Sequence, residues 1–140
     1  MMGAGDALDG LAGRPYRLDG VVEHGDHRGR ELGFPTANLG CAPCVPVPAD
    51  GVDAGRVLLL DVPGPGLLGL AAISVGTNPT FDGRQRRVEA HILDFDGDLY
   101  GRRIAVVFTR RLRGMTRFDG IPALIEQMRL DVARVREAQA

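Results

Sequence analysis

Only the C-terminal stretch of this chain repeats its apolar residues at helical spacing. Everything before it is written in short alternating runs broken by glycine and proline. From Asp119 onward, Ile121, Leu124, Ile125, Met128, Val132 and Val135 fall on one stripe, with Asp119 as a candidate N-cap and Pro122 in the first turn. Upstream, Tyr16, Leu18, Gly20 and Val22 alternate with Arg17, Asp19, Val21 and Glu23, as a half-buried strand requires. Phe34 to Leu39 reads as a short extended piece, and Gly40 to Asp50 as a proline-rich loop. Arg56 to Val62, Leu67 to Val75, Arg87 to Phe95 and Arg102 to Leu112 supply four further strands. Pro63-Gly64-Pro65-Gly66 predicts a hairpin, Gly76 to Gly83 a turn-rich loop, and Asp96-Gly97 a second hairpin between the last two strands. Six strands followed by one helix predict a mostly β fold, an antiparallel barrel with the C-terminal helix packed against it.

At 140 residues the chain is long enough for one domain with a real core, expected over residues 15–140 behind a glycine-rich tail at 1–14. A net charge of −1 argues against a broad nucleic-acid or membrane-surface footprint. No apolar run approaches membrane-spanning length, and the first ten residues lack the pattern of a secretory signal, so a cytoplasmic protein is expected; a monomer is the separate expectation for its assembly. All 17 basic residues are arginine; without a lysine there is no Walker A loop, and any nucleotide chemistry must use another cradle. Cys41 and Cys44 are spaced C-x-x-C but lead into Val45-Pro46-Val47-Pro48, which cannot continue the helix that a thioredoxin-like motif opens. With no second cysteine pair they read as reduced loop thiols.

One stretch, Gly20 to Asn38, carries a chemical signature. Its first part, Gly25-Asp26-His27-Arg28-Gly29-Arg30, combines glycines that let backbone N–H groups approach an anion with two guanidinium forks suited to phosphate. Its second part, Leu32-Gly33-Phe34-Pro35-Thr36-Ala37-Asn38, is stiffened by Pro35. In an extended segment Thr36 and Asn38 share a face, and a hydroxyl and an amide oxygen side by side suit a hard cation such as Mg²⁺. The same residues also fit a plain surface hairpin followed by a strand entering a turn.

A second constellation follows. Asn78-Pro79-Thr80-Phe81 repeats the pre-organised Pro-Thr step, and in Val88-Glu89-Ala90-His91-Ile92-Leu93 the apolar face is Val88, Ala90 and Ile92, leaving Glu89 and His91 opposite. A charged residue on a strand is ordinarily part of a solvated face, so Glu89 on its own is only a candidate base, and His91 reads as a partly buried, hydrogen-bonded histidine.

Taken together, the blocks Leu32-Gly33-Phe34-Pro35-Thr36-Ala37-Asn38-Leu39, Gly76-Thr77-Asn78-Pro79-Thr80-Phe81, Val88-Glu89-Ala90-His91-Ile92-Leu93-Asp94-Phe95, Leu99-Tyr100-Gly101 and Leu112-Arg113 with Phe118 closely resemble riboflavin kinases, from about Tyr16 to Arg134 and in family order. The resemblance implies a six-stranded Greek-key barrel and the transfer of a phosphoryl group from ATP to the ribityl 5′-hydroxyl of riboflavin with Mg²⁺, giving FMN and ADP. By position it implies Glu89 as the general base and Thr36 and Asn38 as the Mg²⁺ ligands. Gly25, Arg28, Gly29, Arg30, Gly33, Pro35 and Thr36 would enclose the ATP phosphates, and Arg113 and Phe118 would border the flavin and the incoming phosphate, while Met115, standing where the family has glutamate, offers the ring a softer, apolar contact. The resemblance also implies either a stand-alone kinase or an excised domain, akin to the C-terminal half of bifunctional bacterial enzymes. Two places depart from the family pattern: Gly51-Val52-Asp53 where it has Gly-Val-Tyr, and Leu112-Arg113-Gly114-Met115 where it has Leu-Arg-Pro-Glu. A non-catalytic flavin- or nucleotide-binding module of the same fold is the competing expectation.

Overall fold

The computed structural model describes residues 16–23, 36–40, 48–64, 66–80, 83–95, 97–114 and 120–139. Six strands, β1 (Tyr16–Glu23), β2 (Ala37–Gly40), β3 (Gly51–Leu59), β4 (Gly66–Thr80), β5 (Gly83–Ile92) and β6 (Arg103–Arg113), precede one helix, α1 (Ile121–Gln139). The strands close into an antiparallel barrel in the order β1-β2-β5-β4-β3-β6. β3, β4 and β5 form a meander, and β2 arrives by a long connection to lie against β5, which is Greek-key topology. Closure removes the exposed edges that an open sheet of this length would have to protect. Among the described residues no helix is long and apolar enough to cross a membrane.

Alternation assigns the two walls. Leu18, Val57, Ile73, Val75, Ile104, Val106 and Phe108 point inward with Val88, Ala90 and Ile92 to form the main core. Each valine, leucine, isoleucine or phenylalanine among them, fully buried, contributes roughly 1.5–3 kcal/mol by leaving water. A second cluster lies outside the barrel: Ala54 and Leu93 meet Val135 of α1, with Leu70, Ala72, Leu112 and Val132 around them. The later part of the helical stripe read from the sequence, Val132 and Val135, thus packs against the outer wall of β3, β4 and β6, whereas Ile121 at its start is exposed.

That packing corrects the start of β3. The strand begins at Gly51, not Arg56, and Gly51 to Gly55 are buried on both faces because α1 covers the outside. Buried on both sides, the segment lacks the alternation that marks a strand in sequence. Gly55 is required here: a Cβ would strike the Val107 carbonyl oxygen, where β3 and β6 shift register between Ala54 and Gly55. Thr109 Oγ1 donates to the Ala54 carbonyl at 3.0 Å beside that irregularity.

Asp53, standing where the resemblance has a tyrosine, points into the barrel and is buried, with Arg111 Nε donating to its Oδ1 at 2.7 Å. The other two Arg111 nitrogens donate to the carbonyls of Asp50 and Ala49, at 3.1 and 2.7 Å, and tie that segment over the barrel end. An ion pair and a clamp thus occupy the place of an aromatic ring.

Two other expectations change. Gly76 to Thr80 is not loop but the end of β4, paired with β5 from Gly76↔Arg87 to Thr80↔Gly83. Asp96-Gly97 does not make a hairpin, because β5 and β6 are not neighbours in the barrel. β5 stops at Ile92, Asp94 takes a left-handed conformation (φ 59°), and the chain crosses the barrel end to β6. That crossing is held to β1, with Val22 donating to the Arg102 carbonyl and Gly101 to the Val22 carbonyl, both at 2.9 Å. The Pro63–Gly66 hairpin is as expected, joining β3 to β4. The tail at 1–14, Cys41 and Cys44, Asp96 and the candidate cap Asp119 lie outside the described residues.

Candidate active site

Asn38 on β2 and Glu89 on β5 are register partners. Their inward neighbours decide which way they face. Leu39 beside Asn38, and Val88 and Ala90 beside Glu89, are buried in the barrel, so Asn38 and Glu89 stand on the outer wall. Cross-strand partners on one face hold their Cβ atoms about 5 Å apart. The candidate base and a candidate metal ligand are therefore neighbours, although 51 positions separate them in the chain. Thr36, two residues before Asn38, is half-buried, as Asn38 and Glu89 are. Half-burial keeps such oxygens reachable while thinning the water around them.

The outer wall continues as a row of register partners on both sides. Toward β1 it reaches Glu23, opposite Asn38; toward β4 it reaches Ser74, opposite Glu89, then Val52 on β3 and Arg113 on β6. His91, two residues along β5 from Glu89, shares the face and is half-buried.

Arg113 closes the row under α1. Its Nε and Nη2 donate to the two carboxylate oxygens of Asp131 at 2.9 and 2.8 Å, a bidentate pair, and its Nη1 donates to the Gly114 carbonyl at 3.1 Å. Gln127 donates to the same carboxylate at 3.0 Å. The pair is largely out of water, with side chains 16% and 6% exposed. Arg113 is thus tied to the helix at the point where the chain leaves β6 for the loop expected to border the flavin.

The structure pairs Asn38 with Glu89, leaves Thr36 just before β2, two residues from Asn38, and sets Arg113 three strands round the barrel from Glu89. Gly25, Arg28, Gly29, Arg30, Gly33, Pro35, Met115 and Phe118 lie outside the described residues. Sequence reasoning missed Asp131 and Ser74. Asp131 had a signal: it falls in phase with Leu124, Met128 and Val135, a carboxylate on the apolar stripe that needs a buried partner. Ser74, the one hydroxyl between Ile73 and Val75, had only its alternation.

No group of three or more His, Cys, Asp or Glu side chains among the described residues is placed to hold a metal. What the wall does offer is an asparagine amide beside a carboxylate, with a threonine two residues before the asparagine; a neutral hydroxyl and amide oxygen suit Mg²⁺ when phosphates supply the remaining ligands.

A six-stranded antiparallel barrel with an oxygen-bearing outer wall and a docked C-terminal helix defines the class. The riboflavin kinase (flavokinase) family matches residues 12–139. A bifunctional riboflavin kinase/FMN adenylyltransferase of Escherichia coli is 40% identical over 130 residues, covering 92% of this chain and 40% of that protein. A crystal structure of riboflavin kinase from Trypanosoma brucei superposes with a TM-score of 0.66 at 28% identity, covering 89% of this chain and 76% of that one. A Streptococcus pneumoniae structure described as a macrolide-efflux protein superposes with a TM-score of 0.80 at 38% identity, over 95% of this chain and 42% of that one. The chain belongs to the riboflavin kinase family. It spans about 40% of the length of the bifunctional relatives it matches.

Proposed function

We propose that this chain transfers the γ-phosphoryl group of ATP to the ribityl 5′-hydroxyl of riboflavin, giving FMN and ADP. The observation that carries the reading is the register of Asn38 with Glu89, since it sets a hydrogen-bond acceptor for the attacking hydroxyl beside an oxygen able to hold the nucleotide's cation.

Glu89 accepts a hydrogen bond from the 5′-hydroxyl and aims its oxygen at the phosphorus. A carboxylate is too weak a base to deprotonate an alcohol in advance. It takes the proton late, as the O–P bond forms and the bond to ADP breaks, which suits a loose transition state where most of the catalysis is positioning. Thr36 Oγ1 and Asn38 Oδ1 would hold Mg²⁺. Bound there, Mg²⁺ would neutralise charge building on the ATP phosphates. Gly25, Arg28, Gly29, Arg30, Gly33 and Pro35 would enclose those phosphates, and Arg113, Met115 and Phe118 would border the flavin ring.

The test is to incubate the protein with riboflavin, ATP and Mg²⁺ and separate the flavins by chromatography. FMN accumulating only when all three are present supports the reading. Flavin fluorescence quenched by the protein with no FMN formed would replace it with a binding module.

A further inference from the structure

Resting on the reading above, we infer that Ser74 is a specificity residue that hydrogen-bonds the ribityl chain between its terminal hydroxyl and the ring. Ser74 is the register partner of Glu89 on β4, and Val52 and Arg113 follow it in the same row. Ile73 and Val75 on either side are buried in the barrel, so Ser74 faces outward on the wall that carries Glu89, where it is half-buried.

Asn38, Glu89 and Ser74 stand in that order on three neighbouring strands, about 4.8 Å apart. With the nucleotide's cation on the Asn38 side of Glu89, a riboflavin whose 5′-hydroxyl meets Glu89 approaches from the Ser74 side and brings its adjoining hydroxyl-bearing carbons within reach of Ser74. A serine hydroxyl both donates and accepts, which matches a polyol chain. A site built to bond a substrate hydroxyl discriminates against an analogue lacking it.

The experiment pairs riboflavin with 7,8-dimethyl-10-(5-hydroxypentyl)-isoalloxazine, which keeps the ring and the terminal hydroxyl and lacks the three hydroxyls between them. Phosphorylation (kcat/KM) and binding by flavin fluorescence are measured for wild type, Ser74→Ala and Ser74→Thr. Wild type is expected to favour riboflavin. Ser74→Ala should raise the KM and Kd for riboflavin about tenfold, the worth of one good hydrogen bond, while barely affecting the analogue or the KM for ATP. Ser74→Thr, which keeps the hydroxyl, should restore most of the preference. An equal loss for both flavins, or an unchanged preference in Ser74→Ala, overturns the inference while leaving the kinase reading intact. Flavin binding without turnover overturns the kinase reading, and the Kd values then decide on Ser74. Failure of wild type to bind either flavin overturns both.

Discussion

Asn38 and Glu89 face each other across the β2–β5 ladder, on the outer wall of the barrel. The pairing fixes both residues by backbone hydrogen bonding on a closed sheet, where a slip of one residue would turn each of them into the core.

Asn38→Ala removes one of the two oxygens assigned to Mg²⁺ and leaves Glu89 in place. The Mg²⁺ concentration for half-maximal FMN formation is expected to rise at least about tenfold, with riboflavin binding unchanged. A Mg²⁺ titration matching wild type would remove Asn38 from the metal site. Chelation with EDTA should stop turnover in both proteins.

Asp131→Ala removes the carboxylate paired with the Arg113 guanidinium under α1, where Arg113 is only 16% exposed. Breaking a buried pair by deleting one partner costs about 3 kcal/mol. Urea unfolding should show that loss as a lower midpoint with the same m-value. A loss under 0.5 kcal/mol, the ordinary range for surface substitutions, would mean that the pair does not hold the helix.

Gly55→Ala places a methyl group against the Val107 carbonyl where β3 and β6 cross their irregular register. Backbone cannot yield there as a flexible side chain would, so the variant should lose roughly 1–3 kcal/mol or more. Thermal melts are the check, and an unchanged Tm would show that the two strands are not that close.

Acid should reveal Asp61. Hydrogen bonds from the Arg102 side chain and the Arg103 backbone N–H hold its carboxyl at about 2, below the ordinary 3.8. The unfolded chain therefore takes up this proton first. The contribution is present above about pH 4 and is lost as the pH falls toward 2. Asp61→Asn should flatten the stability profile across that window and leave its shape unchanged above it. A profile of wild-type steepness between pH 4 and 2 would show that Asp61 does not set it.

The site was legible in sequence to the extent that alternation governs it. Asn38 could be turned outward because Leu39 beside it is apolar, and Glu89 because Val88, Ala90 and Ile92 are. That the two are partners could not be read, because register between strands 51 positions apart is set by closure of the whole barrel. The fold failed to show itself where two surfaces compete for one strand. Gly51 to Gly55 is buried by the barrel on one side and by α1 on the other, and small residues with a buried aspartate conceal a strand. Asp96-Gly97 carried a genuine turn signal that local chemistry could not assign, since the barrel seats β6 beside β1 and β3. Ser74 and Asp131 take their meaning from partners on other elements, which spacing along one chain segment cannot supply.

The central claim is that phosphoryl transfer happens at the wall shared by Asn38 and Glu89. The most direct measurement compares wild type with Glu89→Gln at saturating riboflavin, ATP and Mg²⁺, following FMN by chromatography and flavin binding by fluorescence on the same samples. The amide keeps the shape and loses the proton acceptor, so FMN formation should fall about 10²–10⁴-fold while the riboflavin Kd stays within about twofold. FMN produced by Glu89→Gln at the wild-type rate would contradict the account.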